Sequence, residues 1–108
     1  MPILAERGAS TMSEATFEEE VEHVIQIYER AIGHLATRTR PMIEKYGEAG
    51  ALSKIVVSPD LQKGFKVLRD SGQLDKTFEA LVVRFDHLFE PEVVQAAKWR
   101  IKHADELL

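Results

Sequence analysis

A chain of 108 residues, 44% hydrophobic and 30% charged, carries enough apolar side chain for one core and too little length for two, which excludes a disordered chain and a multidomain one. It has no cysteine, which excludes disulfides, thiolate nucleophiles and sulfur-ligated zinc, and apolar runs such as Ala80-Leu81-Val82-Val83 fall far short of the ~20 residues that cross a bilayer. With 14 Lys plus Arg against 18 Asp plus Glu, the net charge of -4 argues against broad attraction to nucleic acid or anionic lipid.

Residues 1 to 15 hold Gly8, Ser10, Thr11 and Ser13 with no sustained period, and are read as a flexible leader in which Met12 is a second candidate start. The opening stretch has no basic start followed by an apolar run, so no secretory signal is expected and the cytoplasm is the expected compartment. Residues 16–108 are then a single helical domain.

Thr16 and Glu19 have the spacing of a capping box, in which hydroxyl and carboxylate satisfy each other's backbone amides, so a helix is predicted to begin there. Its apolar positions, Phe17, Val21, Val24, Tyr28, Ala31 and Leu35, advance by alternating fours and threes, and Ile25 and Ile32 widen the stripe. Glu18, Glu19, Glu20 and Glu22 place negative charge at the positive end of the helix dipole. A break is predicted between Thr37 and Pro41, because proline has no amide to donate and disfavours helical geometry at Arg40.

Met42, Ile43 and Tyr46 follow as a short amphipathic turn that Gly47 is placed to stop in a left-handed conformation. Ala51, Leu52, Ile55, Val56 and Val57 favour a strand by β-branching, but with no partner strand in view a short buried helix is predicted. Ser58-Pro59 reads as a helix start carrying Leu61, Phe65 and Leu68 on one face, with a stop at Gly72. Asp75 or Thr77 caps a helix bearing Phe78, Leu81, Val82 and Phe85, and Leu88 and Phe89 plug the loop after it. Glu90-Pro91 opens the last helix, with Val94, Ala97, Ile101, Ala104 and Leu108 as its stripe. The fold class expected is all-α: a compact bundle of four main helices plus one or two short ones.

Leu52 through Pro59, Gly64-Phe65, Gly72 through Val82 and Leu88-Phe89 together form a pattern over residues 52–107 that resembles small uncharacterised bacterial all-helical proteins of mobile elements, of the integron gene-cassette type. The resemblance implies a helical fold and brings no active site with it.

Three constellations stand out as carriers of function. Glu19 and His23 lie four apart on the first helix, the spacing of a one-face metal pair, although His34, His87 and His103 supply no obvious further ligand and the bland reading is a solvated acidic turn. Lys98, Arg100 and Lys102, followed by His103, form a basic cluster around Trp99, suited to phosphates and base stacking; a second cluster is Arg38, Arg40 and Lys45. Trp99 falls off the apolar stripe and could also anchor a protein partner, although a tryptophan at a stripe edge usually completes a core.

The first helix is the third constellation. Its stripe resembles a coiled-coil seam, which makes Val24, Tyr28 and Ala31 candidates for a homodimer interface, with the chain's own core as the competing use; Ile27 lies outside the main seam and would mark the interface if it faced solvent beside Val24 or Ala31. Ser53, Ser58, Ser71 and Thr77 have no nominated base and no Gly-x-Ser-x-Gly elbow, and Gly47 and Gly50 lack P-loop spacing. No cofactor is expected. The expected function is therefore a non-enzymatic binding or adaptor module that self-associates through helix packing; the alternatives are a DNA-associated accessory protein and a metal-dependent enzyme.

Overall fold

The computed structural model describes residues 16–58 and 63–107, so the leader, the proposed Pro59 helix start, Leu61 and Leu108 lie outside the described residues. Among the described residues there are five α-helices and no strand. They are α1 (Phe17–Ile32), α2 (Thr39–Val57), α3 (Lys63–Asp70), α4 (Phe78–Arg84) and α5 (Pro91–Lys102), joined in part by short 3-10 turns.

α1 begins as predicted: the Glu19 amide donates to Thr16 Oγ1 at 3.1 Å while the Thr16 amide donates to Glu19 Oε1 at 2.9 Å. It ends earlier than the stripe suggested. Gly33 takes a left-handed conformation at φ 82 and its amide donates to the Glu29 carbonyl, so Leu35 falls in the following loop. The predicted break at Thr37 to Pro41 is displaced accordingly, to residues 33–38. Pro41 sits inside the first turn of α2, where a backbone amide has no helical acceptor and proline is tolerated.

α2 is two helical segments, 39–46 and 48–57, kinked at Gly47 (φ 76, ψ 170). Gly47 does interrupt the helix at positive φ, but the chain resumes helical geometry at the next residue. The second segment buries Ala51, Leu52, Ile55 and Val56, as the predicted short buried helix requires.

Thr77, not Asp75, caps α4: its Oγ1 accepts from the Ala80 amide at 3.1 Å and donates to the Leu74 carbonyl at 2.8 Å. Pro91 occupies the first turn of α5 with Glu90 at the cap position.

The core gathers Phe17, Val21, Val24 and Ile25 of α1 with Leu52, Ile55 and Val56 of α2, Phe78, Leu81 and Val82 of α4, and Val93, Val94 and Ala97 of α5. α4 lies at the centre, packed against α1, α2 and α5, while α3 closes on α1. Phe17 meets Phe85 and Phe89 edge-on at 5.1 and 5.8 Å between ring centroids, which locks the start of α1 to the turn after α4.

Candidate functional site

Arg100 is the residue whose position sequence reasoning missed. It points inward from α5, and Nη1 donates to Glu79 Oε2 of α4 at 2.9 Å and to the Ile55 carbonyl at 3.2 Å. Nη2 donates to the carbonyl of Ser58. Glu79 is almost wholly buried, and burial pushes its carboxyl above the usual range, with the Arg100 hydrogen bond opposing. The pair ties α4 and α5 to the C-terminal end of α2 through the carbonyls of Ile55 and Ser58, the first of which also accepts the Ser58 amide. A signal existed in the sequence: at helical spacing Arg100 lies beside Ala97 and Ala104, on the stripe rather than opposite it.

That inward turn splits the predicted basic cluster. Lys98 and Lys102 remain exposed one turn apart on the outer side of α5, and Trp99 is 53% exposed. The indole stacks on His103 with centroids 4.3 Å apart and planes inclined by 24°. His103 Nδ1 lies 2.9 Å from the Trp99 carbonyl, which fixes the imidazole against its neighbour.

A second ionic assembly joins the end of α1 to the start of α2. Arg40 donates to both oxygens of Glu22 at 3.0 and 2.9 Å, and to both oxygens of Glu29 at 2.7 and 2.9 Å. Glu29 also accepts the Ala36 amide at 2.8 Å, clamping the loop. The Arg40 guanidinium holds the Glu29 carboxyl down at about 2 and lowers that of Glu22. Arg40 is thus taken up internally, and does not stand with Arg38 and Lys45 as an open cationic cluster.

Glu19 and His23 find no third ligand among the described residues. Glu19 is engaged in the capping box, His23 is exposed, and among the described residues no three His, Asp or Glu are grouped to hold an ion. The hydroxyls of Ser53, Ser71 and Thr77 bond to backbone carbonyls, at 2.8, 3.2 and 2.8 Å.

Along the α1 stripe the structure draws a division. Val24 is buried in the chain's own core; Ile27 and Tyr28 are half-buried, Tyr28 lying against Gly64 of α3; Ala31 is exposed; and Leu35 is 66% exposed. An open groove lies elsewhere, between the Leu74–Lys76 turn, α4 and α5. It has an apolar floor of Leu74, Ala80, Val83 and Ile101, and Asp75, Lys76 and Arg84 at its edges.

No family model, curated protein or solved structure matches the chain. Among the described residues no helix is long and apolar enough to cross a membrane.

Proposed function

We propose that the protein is a non-catalytic helical binding module that works as a homodimer, its contact face being the second half of α1 and the loop that follows. The observation that carries this reading is the change along α1: Val21, Val24 and Ile25 are consumed by the core, whereas Ala31, one turn after half-buried Ile27, opens to solvent, as does Leu35 in the loop that follows. Apolar surface that a chain continues beyond its own core is surface suited to a second helix. Ile27 and Ala31 are one helical turn apart, so a partner helix would meet both.

Light scattering over a wide concentration range tests the proposal. The expected result is a dimer that dissociates in the double variant Ala31→Arg/Leu35→Asp, the dissociation constant rising at least about tenfold, equivalent to about 1.4 kcal/mol. Both sites are exposed, so helical content by circular dichroism should be unchanged. A monomer at every concentration would overturn the reading.

A further inference from the structure

Trp99 is the chain's single tryptophan and stands 53% exposed on the outer side of α5. His103 covers one face of the indole, with centroids 4.3 Å apart and planes inclined by 24°. With that face covered, the exposure that remains belongs to the opposite face and the ring edge. Among the described residues no cation lies over the indole, in contrast to Tyr46, where Lys54 Nζ stands 4.5 Å from the ring centroid. The imidazole is held as a backing for the indole, since His103 Nδ1 lies 2.9 Å from the Trp99 carbonyl.

Two lysines complete this face. Lys102 is three residues after Trp99 and four after Lys98, which makes it a surface neighbour of both. Both lysines are exposed, and among the described residues neither enters an ion pair, whereas Arg100 between them is taken inward by Glu79. The carboxylates that follow, Asp105 and Glu106, lie past the end of α5 in a 3-10 turn.

An open aromatic face beside unpaired ammonium groups suits a ligand that offers a flat π-face and negative charge together. A single nucleic-acid strand offers both, in bases joined by phosphates; a duplex keeps the faces of its bases in its own stack. Lys98 and Lys102 stand roughly 6 Å apart along the helix axis, a separation suited to successive phosphates of one strand.

We propose that the Trp99 face of α5 binds single-stranded nucleic acid, one base stacking on the free side of the indole and neighbouring phosphates meeting Lys98 and Lys102. The site is separate from the α1 face and does not need the dimer. With a net charge of -4 the rest of the molecule adds no attraction, so binding is local, modest in affinity and dependent on salt.

Because the chain has one tryptophan, its own fluorescence reads the site directly. The probe is an oligothymidylate of about eight nucleotides, titrated into the full chain. The expected result is saturable quenching with a dissociation constant below about 1 mM at low salt. Two phosphate contacts predict an affinity about sevenfold lower at about 200 mM salt than at about 50 mM. Lys98→Glu/Lys102→Glu is expected to weaken the quenching at least about tenfold. Trp99→Ala, followed by the anisotropy of a fluorescein-labelled strand, is expected to weaken binding at least about fivefold. All three positions are exposed, so circular dichroism should be unchanged. Oligouridylate run in parallel tells an RNA strand from a DNA one, and quenching by either supports the site.

No quenching up to about 1 mM, quenching that survives the double lysine variant, or equal binding of polyphosphate, which has charge and no base, would each overturn the proposal. Polyglutamate matching the oligonucleotide would overturn it as well, and would assign the face to an acidic protein.

Discussion

Gly47 holds φ 76 and ψ 170 in the middle of α2, a region of backbone space that side chains with a Cβ rarely enter. Beyond the adjoining residues and the helix's own backbone, no atom lies within 4 Å of where a Cβ would stand, so the constraint there is backbone conformation and not crowding. Gly47→Ala is therefore expected to lower stability by about 1–3 kcal/mol, read as a shift of the urea midpoint with an unchanged slope. That this glycine interrupts a helix was legible in the sequence, since only glycine is at ease there. That the helix resumes at once was not, because resumption depends on Ala51, Leu52 and Ile55 finding α4 and α5. The stop at Gly33 was missed, because the apolar series running on to Leu35 disguised it.

At the scale of elements, α4 is short, and its seven residues owe their helical state to neighbours as much as to the Thr77 cap. Phe78, Leu81 and Val82 face the core, and Glu79 carries the one charge that this helix buries. Removing either member of a buried pair leaves the other charge without its partner, whereas replacing both by apolar groups does not. Glu79→Ala and Arg100→Ala are each expected to cost about 3–5 kcal/mol, and Glu79→Leu/Arg100→Met to cost much less than their sum. Thermal unfolding of the four proteins checks this, and additive losses would show that the pair is not coupled. The sequence placed Arg100 with Lys98 and Lys102 because alternate residues look adjacent in a written line; on a helix they are 200° apart, and the core took one of them.

At the scale of the whole molecule, polar links hold distant segments to the bundle. Arg69 of α3 donates to the Ala104 carbonyl at 2.9 Å and to the carbonyl of Leu107, bringing the end of the described chain back onto α3. Arg40 does the same for the 33–38 loop through Glu22 and Glu29. Because the folded state lowers the Glu29 pKa from 4.5 to about 2, it binds fewer protons than the unfolded state in that window. The stability from this link is present above about pH 4.5 and is lost as pH falls towards 2.

Arg40 is part-exposed and solvent screens the interaction, so the loss is expected to be about 1–2 kcal/mol, less than the full shift would imply. Acid titration of the melting temperature should show this slope, and Glu29→Gln should flatten it between pH 4.5 and 2. An unaltered slope in the variant would mean that the acid sensitivity arises elsewhere.

The all-α class, the Thr16 and Thr77 caps, the Pro91 start and most of the core stripe were written locally, because caps depend on three or four consecutive residues and amphipathic stripes on a fixed period. Four kinds of decision were not local: where α1 stops being core, which of three cations turns inward, that Arg40 is taken by two glutamates of α1, and that Leu74, Ala80, Val83 and Ile101 meet in one groove. Each depends on which surfaces of separate helices are pressed together, and so on burial and pairing between residues far apart in the chain.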